Sequence, residues 1–190
     1  MNTRKLALLV VLAALCTAIQ LTPRPPNVEF TSFFSFIVGL TAGALVGAFF
    51  GSFVMLLNGF LSPVGFGGLN IPFQIVGMMI AGVLGGWYGR VTREITFSAN
   101  FFLETAVLGA FIALIYDLIT NFGFGVQLIL TGEDPSLALI TAVAYGSFYS
   151  LLHIVSNSVV FGVLFLPVTN ALNSLRVGES PWSKKERLSS

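Results

Sequence analysis

Gly39-Leu40-Thr41-Ala42-Gly43-Ala44-Leu45-Val46-Gly47-Ala48-Phe49-Phe50-Gly51 decides how the rest of the chain is read. Its glycines fall at 39, 43, 47 and 51, one every four residues, inside an apolar run over residues 33–57. On a helix this spacing lays bare backbone along one stripe, where a second helix can come close. Such contact matters more in lipid than in water, because association there depends on packing rather than on removing oil from water. Two readings follow. All four glycines serve packing within one helix, or Gly43 breaks the run into two short helices. The choice sets the topology of everything downstream.

The surroundings of this stretch are those of a membrane protein. Of 190 residues, 55% are hydrophobic and only 9% charged, with a mean hydropathy of +0.91. A soluble domain carries roughly 25% charged residues. The 19 Phe and 20 Gly fit the same class, since glycine is more frequent in spanning helices than in soluble ones. The net charge of +1 gives no reason to expect a nucleic-acid partner. Cys16, the lone cysteine, has no partner for an internal disulfide.

Turn and charge signals divide the chain into helices over about 5–21, 30–42, 44–58, 71–89, 101–122 and 148–174. Arg4 and Lys5 before an apolar run imitate a secretory signal. However, Leu15 precedes Cys16 where a lipoprotein needs a small residue, and Cys16-Thr17-Ala18 is a poor cleavage site. The segment is therefore read as the first spanning helix. Thr22-Pro23-Arg24-Pro25-Pro26-Asn27 ends it. A Gly/Pro loop covers 59–70, and Pro72 suits the first turn of the next helix. Arg90, Arg93 and Glu94 form a charged connection, and residues 123–135 read as a loop with Glu133 and Asp134. The apolar stretch 136–175 exceeds the roughly 20 residues of one perpendicular crossing, so 136–147 is read as an interfacial helix. Residues 176–190 form a polar tail.

Charge arbitrates the glycine question. With a break near Gly43 there are six spans. An inside N-terminus then places Arg4, Lys5, Arg90, Arg93, Arg176, Lys184, Lys185 and Arg187 in the cytoplasm. Only Arg24 lies outside, so eight of the nine basic residues obey the positive-inside rule. An unbroken 33–57 helix, with two spans in the last segment, lowers the score to six of nine. The expected fold is an all-α integral membrane protein, a multi-pass bundle of six transmembrane helices with both termini cytoplasmic. Its cost is two short spans that need a thinner bilayer or cover from neighbours.

Polar groups inside spanning segments are expensive and are functional candidates by default. Asp117 and Asn121 share a face near the outer end of the fifth helix, beside Tyr116; Thr120 joins them. His153 and Asn157 share a face of the sixth. Asn58 ends the third helix, while Asn70 and Gln74 open the fourth. In the six-span topology all of these lie toward the outside. They define a polar pocket under the outer loops, with Phe60, Phe66, Phe73, Tyr116 and Tyr149 as candidate walls. Each also has a plainer reading: helix ends for Asn58 and Asn121, an interhelix link for Asp117, a hydrogen-bonded pair for His153 and Asn157. Glu29 and Arg24 read as ordinary loop charges, and Glu104 as a helix-start carboxylate. Arg24 is a candidate partner for an anionic group, and Phe-rich walls suit a flat ring.

Catalytic patterns are absent. There is no P-loop and no H-E-x-x-H. One His and one Cys exclude a metal site built from several such ligands. Ser147, Ser150 and Ser156 near His153 lack a nucleophile elbow. No enzyme, no catalytic residue, no metal and no cofactor is expected.

Three features resemble the substrate-binding S components of energy-coupling factor (ECF) transporters. Ala14-Leu15-Cys16-Thr17-Ala18 is similar to the AxxxA motif of that family. Pro26-Asn27-Val28-Glu29 precedes a Gly-rich helix pair, a Gly/Pro loop and Ile71-Pro72-Phe73-Gln74. The fifth and sixth helices carry Tyr116-Asp117-Leu118-Ile119-Thr120-Asn121 and Leu152-His153-Ile154-Val155-Ser156-Asn157. The resemblance implies a capture subunit of a prokaryotic cell membrane, taking a vitamin-like small molecule at the outer face. It implies docking through Ala14 and Ala18 on a T-type transmembrane subunit, which is driven by two cytoplasmic ATPases. Such a subunit needs no P-loop of its own. The substrate-binding residues expected are Asn58, Asn70, Gln74, Tyr116, Asp117, Asn121, Tyr149, His153 and Asn157. The competing reading is a stand-alone proton-coupled transporter or channel in which Asp117 and His153 carry protons.

Overall fold

A computed structural model describes residues 3–25, 27–62, 66–92 and 100–174. Arg93, Glu94 and the expected tail over 176–190 lie outside these residues. The described chain is built from six α-helices: α1 (Thr3–Leu21), α2 (Thr31–Ala42), α3 (Ala44–Leu61), α4 (Ile71–Val91), α5 (Phe101–Leu130) and α6 (Pro135–Ser174). A short 3-10 turn at Gly68–Asn70 leads into α4. Five of the helical segments are long and apolar enough to cross a membrane, and α2, with 12 residues, is the short one.

The break falls at Gly43, whose φ of 102° lies in the left-handed region that favours glycine. There the chain folds back on itself. The glycines on either side meet: a Cβ on Gly47 would sit 2.5 Å from Gly39 Cα, and one on Gly51 would sit 2.8 Å from Ser35 Oγ. The hairpin then leans on α4. A Cβ on Gly39 would overlap the Gly82 carbonyl, one on Gly82 would overlap the Gly47 carbonyl, and one on Gly85 the Phe36 carbonyl. Three backbones thus approach with nothing between them, as glycine permits in lipid. Both readings of the glycine stretch hold together, with Gly43 as the break and its neighbours as packing surface.

α2 is the buried axis of the bundle. All ten residues from Thr31 to Leu40 are buried. On its inner side Phe33 and Phe36 meet Phe161 of α6 edge-on, with ring centroids 5.2 and 5.5 Å apart. Phe101 and Tyr88 close the same cluster around Phe165. At 1.5 Å per residue α2 is about 18 Å long, well short of a ~30 Å hydrocarbon layer. Its N-terminus starts inside the bundle, where Thr31 and Ser32 are fully buried.

The last two helices correct the expected boundaries. Residues 123–135 are not a loop, and 136–147 is not a separate interfacial helix. α5 continues through Gly123 and Gly125 to Leu130, and α6 is continuous from Pro135 to Ser174. The glycines that read as loop are packing positions: a Cβ on Gly123 would overlap Phe73, and one on Gly125 would lie 2.8 Å from Leu139. The turn is confined to residues 131–134. Gly132, at φ 102°, donates to Ile129 O and Glu133 N donates to Leu128 O, the double bond that closes a helix C-terminus. Asp134 Oδ1 accepts from Ser136 N and Leu137 N, each at 3.0 Å, and Pro135 opens α6.

The glycine contact makes a direct prediction. Gly82→Ala gains about 1 kcal/mol of helix propensity, yet it forces apart α3 and α4 at a backbone–backbone contact. Net destabilisation of about 1–3 kcal/mol is expected from overpacking, read as a lower unfolding midpoint in mild detergent. Leu45→Ala, at a position 72% exposed, should leave the midpoint unchanged. An unchanged midpoint for Gly82→Ala contradicts the packing.

Candidate functional site

The site begins with the N-terminus of α2. Its first N–H groups have no partners within the helix, and α2 starts too deep for water to serve them. Glu29, two residues upstream, turns its carboxylate back onto them. Glu29 Oε2 accepts from Thr31 N and, at 3.1 Å, from Ser32 N. A carboxylate also suits the positive end of the helix dipole. Glu29 Oε1 also accepts from Ser32 N at 3.3 Å and lies 3.1 Å from His153 Nε2 and 3.5 Å from Asn157 Nδ2. The opposite ring nitrogen, His153 Nδ1, lies 2.8 Å from Asp117 Oδ1. One imidazole thus bridges a carboxylate of the first loop and one of α5.

For both N···O contacts to be hydrogen bonds, the three side chains must hold at least two protons between them. An imidazolium between two carboxylates satisfies this, and so does a neutral imidazole with one protonated carboxyl. In either of these two-proton states the group carries one net negative charge, with the α2 N-terminus set against it. Glu29 is 7% exposed and His153 1%, so breaking either contact strands charge in an apolar surrounding. Burial alone would push the Glu29 carboxyl up. The hydrogen bond and charge of His153, with Ser32 N–H, outweigh burial and hold it down at about 2.

Above this group lies a cavity of about 480 Å³, within the range that holds small molecules. The first loop covers it with Thr22, Pro23, Arg24, Pro25 and Asn27, while Gln20 enters from the end of α1. α3 contributes Met55 and Asn58, with Ser62 just past its end; α4 contributes Gln74 and Met78; Tyr116, His153 and Glu29 complete the wall. The loop is anchored across the mouth. Asn27 Nδ2 donates to Tyr149 O at 3.1 Å, and Ser156 Oγ donates to Asn27 O at 3.1 Å. Arg24 donates through Nε to Val28 O at 2.6 Å and through Nη1 to Gln20 O.

Of the residues expected to bind substrate, Asn58, Gln74, Tyr116 and His153 share this cavity. Asp117 and Asn157 stand behind the wall and hold His153 and Glu29 in place. Three others are placed elsewhere. Asn121 Nδ2 donates to Ser150 Oγ at 3.2 Å and packs on Gly146, linking α5 to α6. Asn70 packs against Gly123. Tyr149 points its ring at Tyr145, and only its backbone carbonyl serves the loop. Among the expected aromatic walls Tyr116 alone lines the cavity; Phe60 pairs with Phe66 and Phe73 with Phe122. Both nitrogens of His153 face carboxylates, and Ser156 Oγ donates to backbone carbonyls rather than to the ring.

The residue that sequence reasoning undervalued is Glu29. The signal was present: an acidic residue directly before an apolar helix is a helix-start mark. Gln20, an amide at the end of an otherwise apolar helix, was the second. Met55, Met78 and Ser62 carry no such signal. Comparison of the chain with protein-family models, with curated proteins and with solved structures finds no match in any of the three.

Two predictions follow from the bridged histidine. His153→Leu removes the partner of both carboxylates at once and should cost about 3–5 kcal/mol of unfolding free energy. A loss within 0.5 kcal/mol, the scale of a surface change, contradicts the bridge. Glu29 binds protons less readily folded than unfolded, so its stabilisation is complete above its ordinary value of 4.5 and is lost as pH falls toward about 2. The gap in thermal midpoint between the native chain and Glu29→Gln should narrow across that window.

Proposed function

We propose that this chain is the substrate-capture subunit of an ECF-type uptake transporter in a prokaryotic cell membrane. It takes a vitamin-like small molecule at the outer face and releases it inward when coupled to a T-type transmembrane subunit and two ATPases. The observation that carries the reading is the partly open cavity beneath the first loop. It has small-molecule size, an immobilised polar floor and a covering loop anchored at a few hydrogen bonds. In this reading the cavity end is external and α2 counts as a sixth, protein-shielded span. Arg24 is then outside, with Arg4, Lys5, Arg90 and both termini in the cytoplasm.

The outer surface of α1 fits the docking role. Ala7, Ala14 and Ala18 are exposed, with Val11 between them at 61% exposure, so small side chains form an open stripe along one face. A partner helix can approach such a stripe closely. The cavity residues lie on the other side of α1, where Cys16 and Gln20 are buried. Docking and capture therefore use different faces.

One observation favours a second reading. A histidine clamped between two carboxylates is a proton-holding arrangement, as a stand-alone proton-coupled transporter requires. Liposomes separate the two. The capture reading predicts no uptake by the purified chain under a pH gradient, and uptake only with the T subunit and ATPases present. Ala14→Leu and Ala18→Leu should abolish that uptake and leave binding intact. Binding is read as a ligand-dependent rise in thermal midpoint across a screen of vitamins and their precursors. Uptake by the chain alone, or full uptake by the leucine variants, overturns the assignment.

A further inference from the structure

Resting on the capture reading, the bridged histidine also bears on when the first loop is held over the cavity. Among the described residues, four polar contacts tie that loop to α6, all between residues 27–29 and 149–157. Asn27 Nδ2 donates to Tyr149 O and Asn27 O accepts from Ser156 Oγ, each at 3.1 Å. Glu29 Oε1 lies 3.1 Å from His153 Nε2 and 3.5 Å from Asn157 Nδ2. The amide and hydroxyl donors keep their hydrogens at any ordinary pH. Only the contact between Glu29 and His153 depends on a proton that solvent can take.

The two carboxylates of the bridge are not held alike. Glu29 has the backbone N–H groups of Thr31 and Ser32 and the Asn157 amide, besides the imidazole. Asp117 has the imidazole at 2.8 Å, with the Ser150 hydroxyl only at longer range. Its Oδ2 is buried and makes no hydrogen bond. A buried carboxylate oxygen without a donor is costly, so Asp117 has the greater need of the imidazole N–H.

That asymmetry decides what happens when the two-proton group loses one proton. The imidazole then has a single N–H for two carboxylates. It stays on Nδ1, facing Asp117, and the bare Nε2 faces the Glu29 carboxylate. Attraction across the 3.1 Å contact becomes repulsion. The departing proton crosses that contact and leaves from the Glu29 carboxyl. Glu29 is the most exposed member of the group, at 7% against 3% for Asp117 and 1% for His153, and it lines the cavity.

We propose that His153 and Asp117 form a proton store that controls the first loop. With the proton present, Glu29 is held and the loop covers the cavity; with the proton gone, Glu29 is released and the loop opens. Three other ionisable groups lie within electrostatic reach of Glu29: Arg24 of the loop, Cys16 of α1 and Tyr116 of α5. Arg24 keeps its charge at any ordinary pH. Cys16 bonds to Thr31 Oγ1, and Tyr116 meets the His153 ring edge-on at 5.4 Å. α2 and α3 carry no acid or base, and Tyr88 and Arg90 stand at the far end of α4.

The test follows the loop itself, in the full chain in nanodiscs. Spin labels are placed at Pro25→Cys and Phe148→Cys, both exposed positions, with Cys16→Ala removing the only other thiol. Distances are recorded from about pH 5 to about pH 10, across and above the ordinary range of histidine. The distance populated at the acid end should give way to a longer one as pH rises. The ratio of the two should shift roughly ten- to hundredfold, as loss of one hydrogen bond to a charged group predicts. In Asp117→Asn the amide donates to Nδ1 and the ring proton stays on Nε2 for Glu29, so the loop should remain closed throughout. In Glu29→Gln the amide donates to a bare Nε2, with the same expected result; this variant decides if the other fails to fold. A distance that ignores pH, or an unchanged response in both variants, overturns the proton store and leaves the capture reading standing. A loop that closes as pH rises, or that stays open at every pH in Asp117→Asn, overturns the store as well. A loop that responds as described while the vitamin screen finds no ligand supports the store and overturns the capture reading.

Discussion

The structure depends on a helix that is too short. α2 has 12 residues and is buried along nearly its whole length, so its positive end opens inside the bundle and not at a wet surface. Some group must satisfy those N–H donors, and the chain supplies Glu29. A buried carboxylate in turn requires partners, and His153 and Asn157 of α6 provide them. His153 then needs an acceptor for its other nitrogen, which Asp117 of α5 supplies. Each polar residue in the floor of the cavity follows from the one before it, and the first follows from the length of α2.

That length follows from Gly43. Without a residue able to adopt its backbone angles, the 33–57 run would continue as one helix. The fold-back also needs α2 and α3 to pack on α4 without intervening side chains. Gly39, Gly47, Gly82 and Gly85 meet that need by exposing backbone to backbone. The glycine stripe and the polar cavity are therefore two ends of one construction. The stripe draws the hairpin against α4, and the hairpin sets the depth at which Glu29 must act.

Much of this was legible in the residues. The glycine spacing and the distribution of Arg and Lys pointed to a break near Gly43. Asp117, His153 and Asn157 stood out because ionisable and amide groups in apolar helices are costly. The boundary at residues 123–148 was misread because glycines, which signal loops in soluble chains, serve helix contact in this setting. Asn70, Asn121 and Tyr149 share the cavity's depth, but Asn70 and Asn121 face neighbouring helices and the Tyr149 ring lies against Tyr145 of its own helix. Glu29 was hidden for the opposite reason: it sits in a loop, and only the burial of α2 turns that loop inward.

His153 is the only histidine in the chain, so ¹⁵N-histidine labelling of the whole protein in nanodiscs gives one imidazole to observe. The account predicts two nitrogens in strong hydrogen bonds, shielded from solvent exchange, with Glu29→Gln shifting mainly Nε2 and Asp117→Asn mainly Nδ1. A ring that exchanges freely with water and ignores both substitutions contradicts it.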